Sequence, residues 1–311
     1  MAATQPAPLE RIEPILEPNG NGAPGATPLT PVGGTNGDRR AEIAEDDRPV
    51  VRIGRALAVV PSVRPTHKAW RRLGFTLSDP FEFMGCAAFD LVLRGAGVRF
   101  LAPPARRDAN LLTAAVDSLL ETGSGLLGWT WACQSVFRSR ELIEKRGDVE
   151  FGGTNDGRKT TVVPRELSPA ATTLLEPLVH EEVPPHGNRI TGLDHLVLMV
   201  CDADAAAERY EQAFGLSARR RTVGDRRYAF VKVGRVAASV IEIVGPSEKP
   251  AEPIAGCGWG LAFQSDDLDA TIAYLRSKRI TLSDAQPALQ GGRIVSLPMQ
   301  IGGISIAFLG K

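Results

Sequence analysis

GLDHLVLMVCDADAAAERYEQAFGL, residues 192–216, decides how the rest of the chain is read. Leu193 to Val200 is a run of aliphatic and branched residues, the composition of a pleated, half-buried strand. Asp202 then offers a carboxylate to cap a helix, on which Ala206, Tyr210 and Phe214 recur at helical spacing and fall on one face. Gly215 supplies the stop. Three further β-type runs follow, LSARRRTV, RRYAFVKVG and AASVIEIVG, parted by the turn signals Gly224-Asp225 and Gly234-Arg235. The unit reads β-α-β-β-β.

The same plan recurs along the chain, which makes a repeat architecture the first expectation. Downstream, WGLAFQS is a strand and Asp266 or Asp267 caps the helix LDATIAYLRSKR. ITLSDA, GRIVSLPM and GISIAFLG then give three more strands. Upstream, VRIGRALAVVPSVRPTHKAWRRLGF, FTLSDPF, AAFDLVLRG and GVRFLAPP repeat the order from Val51 to Pro104. A fourth and fainter copy runs through GLLGWTWACQS, the helix VFRSRELIEKRG, VEFGG and KTTVVPRE. The fold class is therefore α+β, with four βαβββ modules taken in pairs. The Pro-rich joint VHEEVPPHGNR, Val179 to Arg189, separates residues 50–179 from residues 190–311 as two domains. Residues 1–49 read as a disordered tail: Met1 to Arg48 holds seven prolines, six glycines and no aromatic residue, too little apolar surface to offset the entropy of ordering.

Composition narrows the function. Lys+Arg and Asp+Glu are both 36, so no net charge draws the chain to nucleic acid or to an anionic membrane. The four cysteines are scattered, with no C-x-x-C pair, which fits neither a zinc clip nor a disulfide framework and points to a reducing, cytoplasmic setting. No apolar run reaches the ~18 residues that span a bilayer. A small molecule is the expected partner, and homodimerisation is left open.

GLDHLVLMVCDADAAAERYEQAFGL and GWGLAFQSDDLDATIAYLRSKRI resemble the paired β-α entries of the glyoxalase/bleomycin-resistance/dioxygenase family, the vicinal oxygen chelate superfamily. Residues 50–179 are similar in layout, as in its degenerate glyoxalase-like members. The resemblance implies paired βαβββ modules around a cleft and, in many members, a divalent metal (Zn, Mn, Fe, Co or Ni). It also implies metal ligands on the first and last strands of each module. In the third module these positions are His195 and Glu242; in the fourth they are Gly260 and Ala307. In the first half they are Arg55 and Arg99, with Thr130 in the third slot. Two of four customary ligands are thus absent, which argues against a dioxygenase iron site. The implied function is a glyoxalase I- or epimerase-type lyase or isomerase acting on a small dicarbonyl, hydroxy-acid or aromatic metabolite. The alternative is a non-catalytic sequestering protein of the bleomycin-resistance type.

The residues themselves leave these choices open. His195 sits among leucines and could be an ordinary buried histidine. Glu242, flanked by Val240, Ile241, Ile243 and Val244, needs a partner to offset its desolvation. Together they suit either a shared metal or a metal-free acid/base pair. Trp259, Tyr228 and Phe230 are candidate ligand-stacking rings, with a core role open to Trp259. Arg227, with Arg226 and Arg219 to Arg221, could hold a carboxylate or phosphate, or simply form a solvated face.

Overall fold

In the computed structural model the described residues are 48–103, 110–151, 160–168, 171–234, 239–248, 256–289 and 291–311. The first module comprises β1 (Arg52–Val59), α1 (Val63–Arg72), β2 (Phe81–Phe83), β3 (Cys86–Leu91) and β4 (Gly97–Ala102), followed by α2 (Leu111–Thr122). The second is β5 (Gly125–Cys133), α3 (Val136–Gly147), β6 (Thr161–Val162) and β7 (Thr172–Pro177). The third is β8 (Ile190–Met199), α4 (Ala203–Phe214), β9 (Ser217–Val223), β10 (Arg226–Val233) and β11 (Ser239–Pro246). The last is β12 (Cys257–Ser265), α5 (Leu268–Ser277), β13 (Gln286–Pro287), β14 (Arg293–Ser296) and β15 (Ser305–Gly310). The architecture is α+β, as the repeat pattern implies. The tail expected over residues 1–49 falls almost wholly outside the described residues, as do the end of VEFGG and residues 235–238, which include the start of AASVIEIVG.

One rule repeats in every module: the first strand lies parallel to the last. β1 pairs with β4, β5 with β7, β8 with β11 and β12 with β15. Antiparallel pairs β1/β5 and β8/β12 join the modules two by two, and β5 meets β12 where Leu126 faces Gly258. The sheet is thereby continuous from β2 to β9. One face holds the main core, and a smaller cluster that includes Leu57, Val59, Leu101 and Leu174 packs under Leu112 and Val116 of α2 on the opposite face. Trp70 of α1 packs on Phe263 of β12, rings 5.9 Å apart, and Phe75 on the same Phe263 at 5.2 Å. On the other flank Trp131 of β5 stacks on Phe214 of α4 at 4.6 Å, and the Tyr210 hydroxyl bonds Ser168 at 2.9 Å. First- and second-half side chains therefore bury each other, and such aromatic area dominates a core's energetics.

Several local signals act as expected. Asp202 caps α4 by accepting from the Ala205 N–H, Asp267 caps α5 through Ala270, and Gly215 takes the left-handed conformation that ends α4. Other segments differ. FTLSDPF and ITLSDA form almost no strand; only Phe81 joins a ladder. The physical reason is the same in both. The Ser78 N–H donates to the Asp90 carbonyl while the Ser78 hydroxyl accepts the Asp90 N–H, both at 2.8 Å. Ser283 does likewise with Ser296, both at 2.9 Å. A serine side chain thus takes the ladder bond that a second backbone group would have supplied. α2 and β7 are additions that the strand-and-helix pattern did not suggest.

Candidate functional site

His195 and Glu242 come together. β8 and β11 run parallel, with Val197 beside Glu242 and His195 beside Val240, so both polar side chains rise on one face a ladder step apart. His195 Nε2 lies 3.0 Å from Glu242 Oε2, and the pair is nearly closed to solvent, with side chains 8% and 12% exposed. On the other ring nitrogen Asp194 Oδ1 stands 2.8 Å from Nδ1. Burial works against the imidazolium, but the hydrogen bonds and charges of Asp194 and Glu242 outweigh it and hold the His195 pKa up at about 9. At neutral pH the centre is an imidazolium clamped between two carboxylates.

Asp194 is the member of this triad that strand periodicity hid. An odd-even count turns residue 194 away from residue 195, yet a short carboxylate at the preceding position still reaches the ring edge. Its signal was the adjacent pair Asp194-His195 in LDHLVL.

Around the pair, Phe230 is the cross-strand partner of Glu242, and Tyr228 follows on the same face of β10. Their rings lie nearly parallel, 6.1 Å apart. Beyond them on edge strand β9, Arg219 pairs with Phe230 and Arg221 with Tyr228. Lys232, beside Val240, completes a basic fringe. Among the described residues none of these three cations has an ion-pair partner. Arg227 does not join them. It points to the helical side, where its Nε donates to Asp204 at 3.0 and 3.1 Å and its Nη1 to the Thr222 hydroxyl. Odd positions of β10 serve the core and even positions serve the site. Trp259 is neither in the core nor in the ladder: Gly258 and Gly260 face the consecutive residues Leu198 and Val197, so Trp259 is the extra residue of a β-bulge and is 36% exposed.

The equivalent positions of the other modules are set by register. His195 and Gly260 each stand seven residues ahead of their helix caps, Asp202 and Asp267. Two residues on from each, Val197 pairs with Glu242 and Ala262 with Ala307. Gly260 is more than an omission, because a Cβ there would lie 2.9 Å from the Ser305 carbonyl oxygen and 3.1 Å from the Ser305 Cβ. The same count from Ser62 reaches Arg55, with Leu57 then pairing Arg99. In β5 it reaches Gly128 rather than Thr130, whose hydroxyl instead donates to Glu176 at 2.5 Å.

A divalent ion at this centre would have His195 Nε2 and Glu242 as donors, while a catalytic metal site ordinarily draws on about three protein ligands. Gly260 and Ala307 offer none, and among the described residues no group of three or more His, Cys, Asp and Glu is placed to hold an ion. The donor set does not fit a resident metal.

Residues 192–295 match the model of the Glyoxalase/Bleomycin resistance protein/Dioxygenase superfamily. The match runs from β8 into β14, so it is the second half of the chain that resembles this superfamily. Similar solved structures include a mutant of 4-hydroxymandelate synthase from Streptomyces coelicolor, at 14% identity over 84% of this chain and 92% of that one, TM-score 0.55. A xylose isomerase-like TIM barrel/4-hydroxyphenylpyruvate dioxygenase fusion protein shares 12% identity over 85% of this chain and 50% of that one, also at 0.55. These two show that the fold seen in those structures extends over both halves of this chain. Methylmalonyl-CoA epimerase from Mycobacterium tuberculosis aligns at 25% identity over 40% of this chain and 91% of that one, TM-score 0.36. No curated protein matches the chain. Among the described residues no helix is long and apolar enough to cross a membrane.

Proposed function

We propose that residues 190–311 form a metal-free acid/base site that moves a proton on a small oxygen-rich metabolite, with residues 50–179 as its supporting domain. The His195–Glu242 contact carries this reading. Glu242 is the base that removes a proton from a carbon next to a carbonyl, and the His195 Nε2–H, which holds the Glu242 carboxylate at rest, shifts its hydrogen bond to the oxygen on which charge develops as Glu242 takes up that proton. Asp194 keeps the ring oriented and charged. Proton return from Glu242 to the same carbon or its neighbour completes an isomerase- or epimerase-type turnover. Tyr228 and Phe230 provide a flat apolar bed beside the base, and Arg219, Arg221 and Lys232 suit an anionic group on the metabolite.

Exchange in D2O tests it. Dicarbonyl, hydroxy-acid and aromatic carbonyl compounds are incubated with the protein and followed by proton NMR. Loss of the C–H signal next to the carbonyl, abolished by Glu242→Gln, is expected; exchange that survives Glu242→Gln refutes the assignment. Exposure of Trp259 favours one second reading, a binding protein that encloses a planar ligand without turnover. Saturable quenching of Trp259 fluorescence by compounds that show no exchange would select it.

A further inference from the structure

In the first half the positions that correspond to His195 and Glu242 carry buried charges. Arg55, at the position equivalent to His195, is 5% exposed. Its Nε donates to Asp90 Oδ2 at 3.3 Å and its Nη1 to the Gly54 carbonyl at 3.0 Å. Arg99, equivalent to Glu242, forks onto Asp90 at 2.9 and 2.7 Å and lies 3.8 Å from Glu176. The rings of Phe81 and Phe83 cover its guanidinium at 5.3 and 4.1 Å and hold it in place.

The last donor of Arg55, Nη2, goes to the carboxylate of Glu181. Glu181 differs in kind from the other acids. Asp90 and Glu176 stand on strands β3 and β7, with side chains 7% and 14% exposed. Glu181 hangs from the irregular joint, is 35% exposed, and has exposed neighbours Val179, His180, Glu182 and Val183. Arg52 uses its donors on the Gly95 and Val179 carbonyls. With Arg52, Arg55 and Arg99 against Asp90, Glu176 and Glu181, the cluster is neutral. Without Glu181 it carries one uncompensated positive charge in a largely buried site, an arrangement that favours another anion in the vacated place. A cavity of about 40 Å³ remains beside these residues, enough for one or two waters or a small head group.

We propose that the first half holds a binding site for a small carboxylic acid, built on Arg55 and Arg99, which the Glu181 carboxylate of the joint occupies until that acid displaces it. The acid's head group sits where the Glu181 carboxylate sits, and its remainder lies toward Pro177 and Val179, which line the cavity. Because the joint also fixes the start of β8 through Asn188, whose side chain accepts the Ile190 N–H at 3.2 Å, release of Glu181 loosens the segment that leads into the strand bearing His195.

The test uses the full chain, with acetate as probe and chloride at equal ionic strength as control, read by thermal unfolding. Glu181→Gln keeps the side-chain shape and removes the charge. Acetate should raise its melting temperature saturably, chloride should not, and Arg55→Met added to it should abolish the response. Wild type should respond only at roughly tenfold or higher concentration, since its own carboxylate competes. Acetate acting on all three proteins alike, or on none, overturns the proposal. Should Glu181→Gln fail to fold, hydrogen–deuterium exchange of wild type decides. Faster exchange over residues 178–186 in acetate than in chloride supports displacement of Glu181, and equal exchange overturns it.

Discussion

Replacing Glu242 with Gln removes one of two carboxylates from the His195 imidazolium while leaving its size and hydrogen-bonding capacity in place. The structure sets the magnitude. His195 titrates at about 9, and the gap from the usual histidine value of about 6.5, at roughly 1.4 kcal/mol per decade, is worth roughly 3 kcal/mol of folding free energy. Because the folded-state value is raised, that contribution is fully present below pH ~6.5 and disappears as pH rises through about 9. Asp194 and Glu242 share it, so Glu242→Gln should cost roughly 1–2 kcal/mol near neutrality and move the titration down by a decade or more. With only four histidines, His67, His180, His186 and His195, imidazole NMR resolves His195 by comparison with His195→Gln, and urea unfolding from pH 6 to 10 gives the energy. A wild-type His195 titrating at or below 6.5, or a Glu242→Gln protein with unchanged titration, would refute the coupling.

Three further outcomes follow from packing and capping. Phe263→Ala removes the ring that touches both Trp70 and Phe75 and should cost about 3–5 kcal/mol; a single calorimetric transition lowered as a whole is expected, whereas loss confined to one half would contradict the shared core. Asp202→Ala leaves the first turn of α4 uncapped and should cost about 1 kcal/mol in urea titration. His186 accepts the Thr76 N–H on Nδ1 and donates from Nε2 to Val92 O, and burial keeps its pKa below the ordinary value despite that carbonyl. Its stabilising effect is full above pH ~6.5 and falls away as pH drops toward the lowered value, so the protection of amides 186–188, relative to their intrinsic exchange at each pH, should fall in mild acid and no longer do so in His186→Gln.

The third module was legible because its signals agree at every level: apolar strand, Asp202 cap, helical stripe and Gly215 stop all specify one unit. His195 and Glu242 were legible as polar residues on apolar strands, and the ladder phase that brings them together is the period of two. What escaped the sequence has particular causes. Asp194 reaches round its own strand. α2 starts at a capping box made by Asn110 and Thr113 rather than by the usual Glu or Gln partner. TLSD in the first and last modules reads as β-forming, yet each serine satisfies the neighbouring backbone from its side chain. Arg227 and Phe230 look interchangeable as ligand contacts in RRYAFVKVG until the pleat puts them on opposite faces. The charge cluster of the first half was readable in part, since Asp90 and Glu176 are acids in apolar strands just as Glu242 is. Its closing member, Glu181, comes from a joint whose path no local pattern dictates.

The most direct measurement on the His195–Glu242 centre is elemental analysis of wild type beside a His195→Ala, Glu242→Ala double variant, after dialysis against a weak chelator and reloading with Zn, Mn, Fe, Co or Ni. A metal-free acid/base pair predicts the same sub-stoichiometric metal in both proteins. About one ion per chain in wild type, lost in a variant that still folds, would contradict it.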